Sequence, residues 1–264
     1  MSKLSVITTV YNGEPYFERA IPSILNQTYS EYEWIIVDDG STDKTLELLN
    51  QLSAQDQRVK IFSPGKLGRA KALNYAIENS SGEYIAQQDF DDISHSNRLK
   101  LQLDFLDNNP EVGVIGGYYI VRNEKRNEKF IRKPSPEHKQ LITAMAKGVP
   151  FAHTIAMFRK QAWFDAGGYP DAKTNVDLEL WLNVAKTQWK FSSVSEILGE
   201  HFVYQESYWA SQFKYGWRQR DLARLQLSII KQLNLPTWMY IYPIGRWFYA
   251  FLPPISKRLI RRNL

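Results

Sequence analysis

Glu83-Tyr84-Ile85-Ala86-Gln87-Gln88-Asp89-Phe90-Asp91-Asp92 sets an apolar run directly against three carboxylates in four positions. The Ser80-Ser81-Gly82 turn signal ahead of it, and the Tyr, Ile and Ala within it, predict a short buried strand over Glu83–Ala86. The acids then fall where that strand ends. In open α/β sheets this edge is where ligands bind. Like charges so close repel unless a cation is shared among them, and hard oxygen donors at this spacing suit Mg²⁺ or Mn²⁺ holding a diphosphate. The plainer reading is an acidic loop that opens the next helix, with Asp92 or Ser94 as N-cap.

Working outward, the first hundred residues alternate two periodicities. Leu4–Val10, Glu33–Val37 and Val59–Phe62 are further apolar, β-branched runs, whereas Tyr16–Leu25, Thr45–Leu52 and Ala70–Ile77 space their apolar residues as helices do. That rhythm predicts an α/β fold, a doubly wound and mostly parallel sheet with helices on both faces. A helix follows over Leu99–Leu106, then a strand over Val112–Val121 interrupted by Gly116-Gly117. Beyond residue 130 the pattern loosens to a helix at Glu137–Ala146, a strand at Thr154–Phe158 and a helix at Leu178–Ala185. After about residue 205 the chain turns rich in Trp, Tyr, Arg and Leu, so a boundary is placed there: 1–205 and 206–264.

The chain has no cysteine, which excludes a disulfide scaffold and any Cys-ligated zinc. Its N-terminus enters a strand pattern at once, so no signal peptide is expected. The net charge of +5 is uneven: residues 210–264 carry ten Lys or Arg against the single acid Asp221, a net +9, and the other 209 residues net −4. A basic tail on a mildly acidic body implies a negatively charged partner.

The second strand closes on Val37-Asp38-Asp39-Gly40-Ser41-Thr42-Asp43, again placing acids at the sheet edge. A carboxylate there can accept hydrogen bonds from a nucleobase or a ribose hydroxyl. The simpler role is a helix start capped by Ser41 or Thr42. A phosphatase loop of the haloacid-dehalogenase type would need a nucleophile on the first strand, which ends instead in Tyr11-Asn12-Gly13.

Taken together, Ser5-Val6-Ile7-Thr8-Thr9-Val10-Tyr11-Asn12, Trp34 to Asp43, Leu67-Gly68-Arg69-Ala70-Lys71-Ala72-Leu73-Asn74 and Asp89-Phe90-Asp91-Asp92 resemble a family 2 glycosyltransferase of the GT-A fold. The likeness runs from about residue 3 to about 190, with relatives of the bacterial type that build surface polysaccharides. It implies that Thr9 and Tyr11 line a base pocket, that Asp39 binds the nucleobase, and that Arg69 and Lys71 lie near the nucleotide. It further implies Asp89 on the ribose or on the metal's water shell, and Asp91 as ligand of a Mn²⁺ or Mg²⁺ bridging the two phosphates. Asn175-Val176-Asp177-Leu178 resembles the segment in which a Glu-Asp pair opens a helix, with Val176 in place of the first acid. Asp177 is the implied general base. Of the four histidines, none shows paired metal spacing; His153 is expected to be structural.

The segment Trp238–Pro254 is aromatic and apolar but broken by Arg246 and prolines, too short to span a bilayer. With Lys257, Arg258, Arg261 and Arg262 beyond it, it reads as a helical extension resting on the inner face of the cell membrane of a cytoplasmic protein. The leading expectation is a metal-dependent inverting glycosyltransferase moving sugar from a nucleotide-diphosphate donor to a glycan or lipid-linked hydroxyl. The alternative is a non-catalytic nucleotide-sugar or polysaccharide-binding module tethered to a membrane. A nucleic-acid partner has no motif beyond charge.

Overall fold

The computed structural model describes residues 3–124, 126–204, 216–253 and 256–257. Strands β1 (Leu4–Val10), β2 (Tyr32–Asp38), β3 (Val59–Phe62) and β4 (Tyr84–Gln87) alternate with helices α1 (Phe17–Leu25), α2 (Thr45–Gln55) and α3 (Arg69–Glu78). They lie parallel in the order β3-β2-β1-β4. Past β4 the sheet becomes mixed. β8 (Met157–Arg159) runs antiparallel to β4 and to β6 (Val112–Asn123), and β9 (Lys190–Val203) runs parallel to β6. β5 (Ile93–Ser94) and β7 (Glu128–Arg132) close the edges against β9 and β6.

The expected α/β sheet with flanking helices is therefore present, with antiparallel joins confined to its second half. The 14-residue β9 has no counterpart in the sequence reading. The strand expected at Thr154–Phe158 is a 3₁₀ turn over His153–Ile155 followed by β8.

The strands read as continuous apolar runs because both faces are covered. Ile7, Ile35 and Val37 face one layer; Leu4, Val6, Trp34 and Ile36 face the other. The first layer holds α3, α5 (His138–Met145), α6 (Lys160–Asp165), α7 (Val176–Ala185) and α8 (Gly216–Gln232). The second holds α1, α2 and α4 (Arg98–Asn108). From β1 the chain moves to β2 on one side and later to β4 on the other. The crevice at that reversal, past the carboxyl ends of β1, β2 and β4, is where such sheets take ligands.

At the opposite edge one buried carboxylate ties three strands to the turn before β4. Glu33 accepts from Ser5 Oγ (2.6 Å), Lys60 Nζ (2.6 Å), the Ser81 amide (2.5 Å) and Ser81 Oγ (2.9 Å). Gly82 seats its amide on Ser5 Oγ (2.9 Å) in a gap where a Cβ would come within 2.6 Å of the Ser5 nitrogen.

Of the extension predicted from residue 206, residues 206–215, 254–255 and 258–264 lie outside the described residues, Arg258, Arg261 and Arg262 among them. α8 and α9 (Ile241–Phe251) form a helical pair. α8 sends Leu222 and Ile229 into the first-layer core, and Gln226 Nε2 donates to the Ala146 carbonyl (2.8 Å).

Burial alone would raise the Glu33 pKa, but Lys60, Ser5 and Ser81 outweigh it and lower it from 4.5 to about 2. A folded value below the unfolded one means this stabilisation is complete above the unfolded value and is lost as pH falls toward about 2. Chemical denaturation of the native chain and of Glu33→Gln between about pH 5 and pH 2 should separate the two, the native chain losing roughly 2–3 kcal/mol more. Equal losses would remove Glu33 as the acid-labile tie.

Candidate functional site

The loop after β1 is stapled to the loop after β2. Asn12, in the left-handed region (φ 53), donates its amide to Ser41 Oγ (2.9 Å) and accepts the Thr42 amide on Oδ1 (2.8 Å). Neither Ser41 nor Thr42 caps α2 as expected. That helix opens at Thr45, whose amide donates to the Asp43 carboxylate (3.0 Å), because Ser41 and Thr42 are already committed to Asn12.

Asp39 is buried. Its Oδ1 accepts the Leu67 and Gly68 amides (2.6 and 2.9 Å), and Lys66 Nζ stands 3.8 Å from Oδ2. Gly68, at φ 84, makes the left-handed turn that brings both amides to one oxygen before α3 starts. Thr9, half-buried at the end of β1, and Tyr11, 51% exposed with Lys66 Nζ over its ring, stand at the same edge. Thr9, Tyr11 and Asp39 thus share one side of the crevice.

Arg69, the first residue of α3, reaches across to the β4 loop. Its Nη2 donates to Asp89 Oδ1 (2.8 Å) and to His153 Nδ1 (3.2 Å). Because a guanidinium only donates, Nδ1 accepts, and the His153 proton sits on Nε2 toward the Tyr169 hydroxyl (2.7 Å). His153, expected to be a structural histidine, is buried with both ring nitrogens partnered, and its partners belong to this network. Lys71 is not brought to the cluster; it pairs with Asp171 (3.3 Å) at the exposed surface.

The three acids have three different environments. Burial would raise Asp89, but the charge of Arg69 and its hydrogen bond hold it well below the usual carboxylate range. Asp92 is fully buried and is spent on the end of β9, accepting the Phe202 amide (2.8 Å) and His201 Nδ1 (3.0 Å). It caps nothing. α4 begins at Arg98 after Asn97, and Ser94 Oγ donates to Gln88 Oε1 (2.6 Å), so both expected caps are ruled out by prior partners. Asp91 takes the hydroxyl of Tyr204. Burial first, then the charges of Asp92 and Asp89, push Asp91 up to about 7.

Burial opposes the charge of His201, yet contact with Asp92 and the fields of Asp89 and Asp91 raise it to about 9. His201 and Tyr204 escaped the sequence reading because β9 itself did. The pairing His201–Asp92 spans 109 residues and leaves no local spacing.

Asp177 lies in the first turn of α7, half-buried. Its charge acts on Arg69 and Tyr169, which places it beside the Asp89 network. Its carboxylate makes no hydrogen bond among the described residues. Val176 is buried in the core, while Glu179 lies on another face, lining a cavity with Asp221 and Arg224 of α8.

Among the described residues no three His, Asp or Glu side chains form a metal cage. Asp91, raised by like charges, still fits a hard divalent cation, since Mg²⁺-type sites draw on one or two carboxylates and complete themselves with substrate phosphates and water.

Residues 5–167 match the family model for glycosyl transferase family 2. The chain belongs to that family. It is 32% identical to Bacillus subtilis EpsE, named as a glycosyltransferase, across 95% of this chain and 90% of that one. It is 30% identical to B. subtilis TuaG, named for teichuronic acid biosynthesis, across 90% and 93%. Among solved structures, S. aureus TarS residues 1–349 superposes with a TM-score of 0.67 at 18% identity, covering 98% of this chain and 83% of that one. The mannosyltransferase PcManGT of Pyrobaculum calidifontis, in complex with GDP-Man and Mn²⁺, gives 0.72 at 18% identity, covering 99% and 79%. The glycosyltransferase fold expected from the motifs stands.

Asp39 anchors the loop before α3 through one oxygen. Asp39→Asn keeps an acceptor there and should hold stability within about 1 kcal/mol, whereas Asp39→Ala orphans two buried amides and should cost about 2–3 kcal/mol. Denaturant titration of both variants distinguishes them; matching losses would show that the anchor is not the oxygen.

Proposed function

We propose that this glycosyltransferase moves a sugar from a nucleotide-diphosphate donor to a hydroxyl of a glycan or lipid-linked acceptor in cell-surface polysaccharide synthesis. The reaction is metal-dependent and inverts the anomeric centre. One observation carries this reading: Arg69 Nη2 donates to Asp89 Oδ1 (2.8 Å) two residues before Asp91, so a cation and paired acids stand together past the carboxyl end of β4, where such sheets take ligands.

In this reading Asp39, with Oδ1 fixed by two amides, presents Oδ2 to a nucleobase N–H, and Thr9 and Tyr11 wall the base. Asp89 holds the ribose or the cation's water shell, and Asp91 is the cation's ligand. Bound there, Mn²⁺ or Mg²⁺ would offset the charge that grows on the diphosphate as the glycosidic bond breaks. Arg69 is 48% exposed at its side chain, so it can turn from Asp89 toward a phosphate. Asp177 takes the proton of the acceptor hydroxyl. Base and leaving-group site stand on separate elements, α7 and the β4–β5 loop, which suits attack opposite the leaving group and hence inversion. The role of TuaG's name in teichuronic acid biosynthesis supports a surface-polysaccharide product.

Among the described residues no helix is long and apolar enough to cross a membrane. α9 nevertheless exposes Ile241, Ile244, Phe248 and Phe251 at helical spacing, with Trp238 beside them. Arg224, Arg220 and Lys257 lie over Trp247, Phe251 and Tyr249. Cations riding on aromatics beside an apolar stripe match an anionic lipid surface, whereas a second copy would bring like charges together. The protein accordingly works on the inner face of the cell membrane, where a lipid-linked acceptor is presented.

Nucleotide-sugar hydrolysis and transfer, assayed over a donor panel with Mn²⁺, test the chemistry. Asp91→Asn should lose most activity together with its Mn²⁺ dependence. Asp177→Asn should keep donor affinity but lose roughly 10²-fold or more in turnover. Donor binding without turnover in the native chain would favour the non-catalytic module, and collapse of donor affinity in Asp177→Asn would move that residue into the nucleotide site.

Attachment is read separately, by sedimentation with anionic vesicles at low salt. Ile244→Ser combined with Phe248→Ser should weaken it roughly tenfold or more while leaving donor hydrolysis intact. A dimer by light scattering without vesicle binding would assign the α9 face to a second copy.

A further inference from the structure

Beneath the acidic cluster lies a buried cation that the proposed chemistry does not use. Arg98, at the start of α4, is 0% exposed. Its Nε donates to Gln102 Oε1 (3.1 Å), Nη1 to Ser94 Oγ (2.7 Å) and Gln88 Oε1 (3.1 Å), and Nη2 to the carbonyls of Gln87 (2.7 Å) and Ala156 (3.1 Å). A guanidinium has five N–H donors, and all five are spent here on neutral oxygens. Among the described residues it joins no ion pair.

A buried charge without a direct counter-ion is costly, and burial lowers the Arg98 pKa to about 9. The charges that act in its favour are those of Asp89 and Asp92. Its partners explain the reach. Gln87 and Gln88 immediately precede Asp89, Gln88 Nε2 also donates to the Asp89 and Asp92 carbonyls (2.8 and 3.1 Å), and Ser94 follows Asp92 by two residues. Arg69 meets the cluster from the solvent side and has room to turn away. Arg98 meets it from the interior, held by five bonds.

We infer that Arg98 is a fixed interior counter-charge beneath the acidic cluster, seated on Gln87, Gln88 and Ser94 at either side of Asp89 and Asp92, and that its positive charge loosens the cluster's grip on a divalent cation. It is a positioning residue, acting through the carboxylates. The inference rests on the reading of the cluster as a divalent-cation site.

The probe is Mn²⁺ alone, titrated into the full chain at pH 8 without donor and read by the EPR signal of free Mn²⁺, with thermal midpoints in EDTA and in Mn²⁺ alongside. Removing the positive charge in Arg98→Met should tighten Mn²⁺ binding roughly five- to tenfold, because a divalent ion gains twice what a competing proton gains. Its midpoint should fall in EDTA and recover more on Mn²⁺ addition than that of the native chain. Arg98→Lys keeps the charge but not the five bonds, so its Mn²⁺ dissociation constant should stay within about twofold of the native one despite a lower midpoint. A folded Arg98→Met that binds Mn²⁺ no tighter, or an Arg98→Lys that binds it tenfold more weakly, would show a hydrogen-bond hub and overturn the inference. If Arg98→Met does not fold, the Lys variant decides alone on the same criterion. Absence of Mn²⁺ binding by the native chain is a separate outcome, which removes the cation-site reading and the counter-charge with it.

Discussion

Three carboxylates within four residues, at the end of a buried strand, impose the constraint around which this site is arranged. In a low-dielectric setting they cannot all remain charged without compensation. The fold gives each a different fate. Asp92 is sealed at 0% exposure against the end of β9, Asp89 is held ionised by Arg69, and Asp91 is pushed up by burial first and by the charges of its two neighbours second. The compensating groups, Arg69, Arg98 and His201, come from α3, α4 and β9. No local stretch of chain could supply them, so the cluster exists only once the sheet is complete.

The two ends of the parallel half differ in the same currency. At the amino edge, Glu33 is satisfied by four donors from three other segments and contributes stability. At the carboxyl edge, Asp91 has the Tyr204 hydroxyl yet is still pushed up to about 7, and Asp177, on α7, makes no hydrogen bond among the described residues. Carboxylates left without full compensation are the pattern of a binding edge rather than of a structural tie.

The parallel half was legible because each element carries its own local signal. β1, β2 and β4 are apolar runs bounded by turns, and the acids that end β2 and β4 mark the binding edge. β9 was not legible for the opposite reason. Lys190-Phe191-Ser192-Ser193-Val194-Ser195-Glu196 has little alternation, and the burial of Ser192 and Ser193 is set by pairing with β6, through shifts of register that no spacing rule announces. The residues it delivers, His201 and Tyr204, were missed with it. The caps failed differently: Ser41, Ser94 and Asp92 are the right types for a helix start, but long-range partners claim Ser41 and Asp92, and Gln88 and Arg98 claim Ser94. His153 looked inert alone, and only the approach of Arg69 and Tyr169 gives it a defined proton.

The basic, aromatic extension adds a geometric argument. It is built onto the layer that carries Asp177, not the one containing α1, α2 and α4. Leu222 and Ile229 of α8 share a core with Leu178, Leu180 and Trp181 of α7. Gln226 holds the Ala146 carbonyl, and Arg246 of α9 joins Gln219 to the Lys147 carbonyl (3.0 and 3.1 Å). The stripe of α9 that faces outward and the first turn of α7 therefore belong to one packed body. Close-packed interiors transmit orientation rather than absorb it. Whatever surface the α9 stripe rests on is consequently held at a set attitude to the Asp177 carboxylate.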